Sequence, residues 1–203
     1  MGRKSISNIR KPEILEHVYE VLKDEGIQGT TLSKIADHMG VNSSLLVHYF
    51  KTKDNMMAEF VDSLAERYAN YFQRYSKKIG KIKKPDVRLN AMLDLLFDPD
   101  WDVSADASVF WACFYMSFKN EKIKERFRII YTGLMNGIAG EIRKQALKGH
   151  SHESDSEKVA MTIISLIDGH SFYCSAIGKE RPDREDRNFL KGVVKKMLGI
   201  APV

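Results

Sequence analysis

The stretch TTLSKIADHMGVNSSLLVHYFKTK, Thr30 to Lys53, spells two short helices joined by a tight turn. Thr31 offers a hydroxyl that can accept from a backbone N–H one turn later, which makes it an N-cap. Leu32, Ile35, Ala36 and Met39 then recur at helical spacing and predict one buried stripe. Gly40 ends that helix, because only glycine enters the left-handed conformation cheaply. Val41 plugs the corner and Asn42 caps the second helix, in which Leu46 and Phe50, four apart, share the inward face.

What remains outward on the second helix is Ser43, Ser44, Leu45, Val47, His48 and Tyr49, with no carboxylate among them. Such a helix can approach a polyanion and enter a major groove, where hydroxyls, imidazole and methyl groups meet base edges. Its first N–H groups can also meet a phosphate, and Lys53 follows as a phosphate clamp. The same spacing also fits an ordinary helical hairpin with a polar outer face.

The run T-x-x-x-I-A-x-x-x-G-V-x-x-x-x-L-x-x-Y-F-x-x-K-D resembles the DNA-binding segment of the TetR family of bacterial repressors. Its fixed points here are Thr31, Ile35, Ala36, Gly40, Val41, Leu46, Phe50, Lys53 and Asp54. Two positions depart from the family pattern, which commonly has Gly or Pro at Ser44 and Tyr at Val47. The loss of that tyrosine shifts the expected contacts towards His48 and Tyr49. The His48-Tyr49-Phe50 ending after hydrophobic residues is closest to the betaine-regulator branch. The resemblance implies an all-α chain: a three-helix DNA-binding domain over 1–53, a lever helix over 54–78, and a larger helical bundle over 79–203 for ligand binding and dimerisation. It implies DNA contacts from Thr31, Ser33, Ser43, Ser44, Leu45, Val47, His48, Tyr49 and Lys53.

A length of 203 residues allows one large domain or two small ones, and 43% hydrophobic content can bury a substantial core. The net charge of +5 and pI near 9.1 permit nucleic-acid binding without requiring it. No run of eighteen apolar residues exists and the N-terminus is polar, so a cytoplasmic protein without membrane span or secretory signal is expected. Cys113 and Cys174 sit inside apolar helical patterns and predict buried free thiols.

Residues 1–10 carry Arg3, Lys4 and Arg10 and no acid, either a solubilising tail or a basic arm for phosphates. Pro12 suits a first helical turn, Ile14 to Leu22 follow the helical period, and Gly26 closes the helix. The lever helix runs from Asp54 to about Lys78, and the lysine-rich run 77–84 reads as a solvated connection. Five more apolar patterns follow: a helix after Asp86, an almost wholly apolar one around Val109–Phe118, and a long amphipathic one over 121–147. The last two fall near 156–177 and 184–198 and carry apolar residues beyond a single stripe, which predicts a two-fold interface using Val193 and Val194. An apolar helix such as 109–118 belongs inside a bundle. Gly133, Gly137 and Gly140 weaken the long helix by roughly 1 kcal/mol each relative to alanine, and predict close approach by a helix or ligand.

Enzyme chemistry finds no support: there is no phosphate loop, nucleophile elbow or helical His-x-x-x-His pair. His150 and His152, beside Glu153 and Asp155, could hold a metal, but on a polar loop they read as solvent-exposed, and no cofactor or metal is expected. Three classes stand: a ligand-responsive DNA-binding repressor, an architectural DNA-binding protein with a purely dimerising bundle, and an enzyme or carrier built on the bundle. The aromatic residues favour the first. Trp111, Phe114, Tyr115, Tyr131 and Tyr173 with Asp168 are the candidate ligand residues, and Trp101 adds to the same surplus. The branch resemblance implies choline, which an aromatic box with Asp168 would suit through cation–π attraction. The expected partners are a near-palindromic double-stranded operator, a small-molecule inducer and a second copy of the chain.

Overall fold

Helix α1 (Ile6–Gly29) begins six residues before Pro12 and breaks at Gly26, whose φ of 65° and ψ of −175° no helix contains. The break falls where the sequence places the end of the helix. The start is earlier, and Pro12 therefore sits inside the helix without an N–H to offer the preceding turn. In this computed structural model, residues 6–98, 106–146, 153–179 and 183–200 are described, and among them every regular element is helical. Residues 1–5 of the expected basic arm, Trp101, His150 and His152 lie outside the described residues.

The hairpin forms as its caps dictate. Helix α2 (Leu32–Met39) is capped by Thr31, whose hydroxyl accepts from the Lys34 N–H, and closes on Gly40 at φ 66°, ψ 33°. Helix α3 (Ser43–Phe50) is capped by Asn42, whose side chain accepts from the Ser44 N–H. Helices α1, α2 and α3 pack on one another. Ile14, Val18, Ile35, Leu46 and Phe50 are buried among them, where each stabilises by about 1.5–3 kcal/mol.

Helix α4 (Lys53–Ile79) spans 27 residues, about 40 Å at 1.5 Å each. It is followed by α5 (Pro85–Leu96), α6 (Ala107–Ser117), α7 (Glu121–Ala146), α8 (Glu153–Ala176) and α9 (Arg184–Met197). The chain groups into two compact units. The first comprises Met1–Tyr68 with Ser108–Arg128, and the second Ala69–Ala107 with Ile129–Val203. Helices α4 and α7 thus contribute residues to both units. The lysines at 81, 83 and 84 are exposed in the connection between α4 and α5.

The second unit packs Leu89, Leu93 and Leu96 of α5 against Ile138 and Ile142 of α7, Ile163 of α8 and Val194 of α9. Polar contacts close its edges: Arg88 Nε donates to Glu141 at 2.6 Å, and Lys191 donates to Asp94 at 3.0 Å. Arg187 donates to the Asp98 carbonyl at 2.9 Å, just past the end of α5. Burial alone would raise the Glu141 carboxyl, but hydrogen bonds from Lys144 and Arg88 outweigh it and hold it below the usual range. Both cysteines are free and buried, and burial pushes the Cys113 thiol up to about 12.

Three expectations change. Helix α6 is not enclosed all round, since Tyr115 is 60% exposed and Phe118 just beyond it 63%. Its buried line is Val109, Cys113 and Ser117, a single stripe of i, i+4, i+8. Gly133, Gly137 and Gly140 meet no close neighbour: a Cβ on any of them would find nothing within 4 Å. Their exposed side faces away from the core that Ile138 and Ala139 enter. Of the two valines expected at an interface, Val194 is fully buried in its own unit, while Val193 is 36% exposed.

Candidate nucleic-acid interface and ligand-domain groove

The reading face of α3 is built by what its other face buries. Leu46 and Phe50 turn inward, which leaves Ser43, Ser44, Val47 and His48 exposed and Leu45 and Tyr49 half-buried at its margins. The imidazole of His48 stands edge-on to the Tyr49 ring, centroids 5.3 Å apart, so the two present one joint aromatic and hydrogen-bonding surface. Thr31 and Ser33, at the start of α2, are exposed as well. No acidic side chain lies within α3, and Arg10, the first basic side chain in the described part of the chain, is engaged by Glu13 at 2.5 Å.

Lys53 is half-buried and its ammonium donates to the Ile27 carbonyl at 3.2 Å, in the end of α1 beyond the break at Gly26. The side chain read as a phosphate clamp therefore also ties the end of α1 to the start of α4. Two donors of the ammonium remain for a phosphate.

Sequence reasoning passed over Lys51 and Asn55. Lys51 is the one described non-glycine residue at positive φ, with φ 69° and ψ −47°. Those angles belong to the rarer γ-turn, closed here by Thr52 N–H on the Phe50 carbonyl at 2.8 Å. Asn55 Nδ2 donates to the same carbonyl at 3.1 Å. The only signal for this turn in the sequence is negative: no glycine or asparagine follows Phe50 to end α3 in the usual way.

The six candidate ligand residues divide between the two units. In the first, Trp111 packs edge-to-face on Phe110 and Phe114, with centroids 5.1 and 5.6 Å apart. Phe114 in turn meets Phe118 and Phe127, each at 5.4 Å. These rings use their faces on one another, as a packed aromatic cluster does. Tyr115 points to solvent. In the second unit, the Tyr131 hydroxyl donates to Asp168 at 2.7 Å, across from α7 to α8. Beside this pair lies an open groove of about 200 Å³ lined by Tyr131, Thr132, Met135, Met161, Ile164 and Ser165. Tyr173 is exposed and does not line it. Of the six candidates, Tyr131 alone lines the groove, and Asp168 is its hydrogen-bond partner.

Among the described residues no group of three or more His, Cys, Asp or Glu side chains is placed to hold a metal ion. No described helix is long and apolar enough to cross a membrane.

Residues 14–60 match the family model "Bacterial regulatory proteins, tetR family", and residues 85–200 match "Tetracyclin repressor-like, C-terminal domain". The chain is 25% identical over 171 residues to the HTH-type transcriptional regulator BetI of Burkholderia ambifaria, covering 83% of this chain and 84% of that one. Its fold is similar to a TetR transcription regulator of Haloarcula marismortui, with TM-score 0.77 and 22% identity over 95% of this chain and 97% of the other. It is also similar to a regulator of Saccharomonospora viridis solved in complex with choline, with TM-score 0.73 and 20% identity over 93% and 96% of the two chains.

Proposed function

The chain belongs to the TetR family of bacterial regulatory proteins, and on that premise we propose that it is a ligand-released repressor acting as a homodimer. The observation that carries the reading is the α3 surface. A helix with both ends fixed exposes hydroxyl, methyl and imidazole groups and no carboxylate, which is what a major groove accepts. Ser43, Ser44, Leu45, Val47, His48 and Tyr49 meet base edges and nearby phosphates. Thr31, Ser33 and Lys53 hold the backbone alongside, within a reading domain of residues 1–53. Two copies place two such helices on half-sites about 34–36 Å apart, or a multiple of that, in a near-palindromic operator.

For the dimer, the support is the exposed apolar surface of α8 and α9: Met161, Phe172 and Tyr173 on one, Phe189, Val193 and Met197 on the other. For the ligand, the support is the groove between α7 and α8. Two methionines line it, and the half-buried Asp168 carboxylate accepts from the hydroxyl of Tyr131, which lines it too. That chemistry suits a small cation with an apolar surface, and the choline bound by the Saccharomonospora viridis regulator is of this class. To release DNA, the ligand must bind the non-operator conformation better by about 1–3 kcal/mol, a 5–150-fold effect.

The test is fluorescence anisotropy on duplexes tiling the sequence upstream of the gene, titrated against salt and then against choline. Tight, salt-dependent binding to one duplex is expected. Ser43→Ala and His48→Ala should change sequence preference, whereas Lys53→Ala should weaken all duplexes alike and lower the salt slope by about one. Tight operator binding that millimolar choline leaves unaltered would remove choline from the reading, and binding to no duplex would remove the operator.

A further inference from the structure

The end of α3 is held by a side chain whose other end is held by α7. The Phe50 carbonyl is one of the orphan acceptors at a helix C-terminus, and it takes two donors, Thr52 N–H and Asn55 Nδ2. The first closes the turn at Lys51 in its unfavourable conformation, which persists only where surrounding contacts over-determine it. Asn55 supplies that constraint. Its backbone N–H is fixed by the Thr52 hydroxyl at 3.1 Å, and its Oδ1 accepts from Lys122 Nζ at 2.6 Å. An ammonium only donates and a carbonyl only accepts, so both partners demand the same orientation of the amide. Lys122 is the second residue of α7, whose first N–H groups are capped by Asn120. One turn on, Arg126 forks onto Asp62 of α4 at 2.9 and 3.2 Å.

We propose that Asn55 is the positioning residue through which α7 sets the pitch of the recognition helix, by the path Lys122–Asn55–Phe50 carbonyl, with Arg126–Asp62 fixing the register of α7 on α4. This rests on the reading that α3 enters DNA and that the ligand occupies the groove lined by later turns of α7. A displacement of α7 along its axis breaks the Arg126–Asp62 fork and carries Lys122 away from Asn55. Asn55 is then freed, the second donor leaves the Phe50 carbonyl, and the strained turn relaxes. The last turn of α3, with His48 and Tyr49, moves with that turn. The transmitted change needs no contact between the ligand and the DNA-reading helices.

The experiment uses the full-length dimer with Lys122→Met, Asn55→Ala, the double variant, and Lys122→Arg. Three quantities are read: specific operator affinity, affinity for a scrambled duplex, and amide hydrogen exchange at Lys51 and Thr52 without DNA. Lys122→Met is expected to lower the specific-to-scrambled ratio about tenfold, the scale of one lost hydrogen bond to a charged group. It should also speed exchange of the Thr52 amide by a similar factor, without altering the far-ultraviolet spectrum. The double variant should be no worse than Asn55→Ala alone, because the two act in series, and Lys122→Arg should restore most of the ratio. Additive losses, an unchanged ratio, or unchanged Thr52 exchange in Lys122→Met would overturn the proposal. A parent protein that binds no duplex removes the operator reading instead, and leaves the exchange measurement to decide the relay.

Discussion

Replacing Phe189 with alanine isolates what the exposed face of α9 contributes to assembly. Phe189 is 70% exposed, the most exposed large hydrophobic side chain among those described. Complete burial of a phenylalanine stabilises by about 1.5–3 kcal/mol, so covering the exposed part contributes roughly 1–2 kcal/mol. A two-fold interface uses the same residue from each copy, which doubles the figure to about 2–4 kcal/mol per dimer. At 1.4 kcal/mol per decade, the dimer dissociation constant should rise by a factor of roughly 30 to 1,000. The folded monomer should keep its stability, because the ring makes little contact within its own chain. Sedimentation equilibrium across nanomolar to micromolar concentrations reads the constant, and a thermal melt at matched concentration controls for folding. Val193→Asp should act in the same direction through a desolvated carboxylate. Val194→Asp should unfold the second unit instead, since Val194 lies inside its core. An unchanged dissociation constant in Phe189→Ala would refute the assignment of α9 to the interface, and a monomeric parent would refute the dimer.

Three further outcomes are expected. Gly137→Ala should stabilise the protein by about 1 kcal/mol, raising Tm by roughly 2–4 °C, because the new methyl meets nothing within 4 Å and alanine is the better helix former; a lowered Tm would show a neighbour on that face. Lys51→Gly should relieve a positive-φ cost of about 1–2 kcal/mol, partly offset by about 0.4–1 kcal/mol of extra chain entropy in the unfolded state; a loss of more than 1 kcal/mol in urea denaturation would contradict the strain. Glu141→Gln should cost about 1–2 kcal/mol at neutral pH. Because the folded carboxyl titrates below its ordinary value, that stabilisation is present above about pH 4.5 and lost as pH falls through the folded value. The gap between the parent and Glu141→Gln should therefore close on acidification, and a gap constant down to pH 3 would contradict the assignment.

The helical hairpin was legible because every signal for it is local. Thr31, Gly40 and Asn42 act within one turn of themselves, and Leu46 and Phe50 are neighbours on their own helix, so periodicity alone sorts inside from outside. Where a residue's role depends on a partner far along the chain, the sequence was silent. Lys53 reaches Ile27, and Asn55 reaches Lys122, 67 positions away; neither pairing leaves a pattern in spacing. The aromatic surplus was visible, but its use was not. Edge-to-face packing of Trp111 on Phe110 and Phe114 needs the same residues as a ligand box. Only the Tyr131–Asp168 pair, brought together from α7 and α8, came to lie beside a groove.

The glycines of α7 show how one residue type supports opposite readings. A helical glycine either admits a close neighbour or leaves backbone bare, and both cost the helix roughly 1 kcal/mol relative to alanine. Gly133, Gly137 and Gly140 do the second, and their position gives the cost a consequence. They follow Lys122 and Arg126, which bind the first two turns of α7 to α4 side chains. They flank and interleave with Ile138, Ala139 and Ile142, which fix the later turns in the core of the second unit. The weakest backbone of the helix therefore begins at Gly133, two turns beyond Arg126; of the groove residues on α7, Met135 lies within it, and Tyr131 and Thr132 lie just ahead of it. Strain introduced at Met135 meets Gly133 before it reaches Arg126, whereas strain at Tyr131 or Thr132 enters α7 ahead of the glycines. Gly133 thus tempers a displacement that starts at Met135, and one that starts at Tyr131 or Thr132 passes to Lys122 through backbone without glycine.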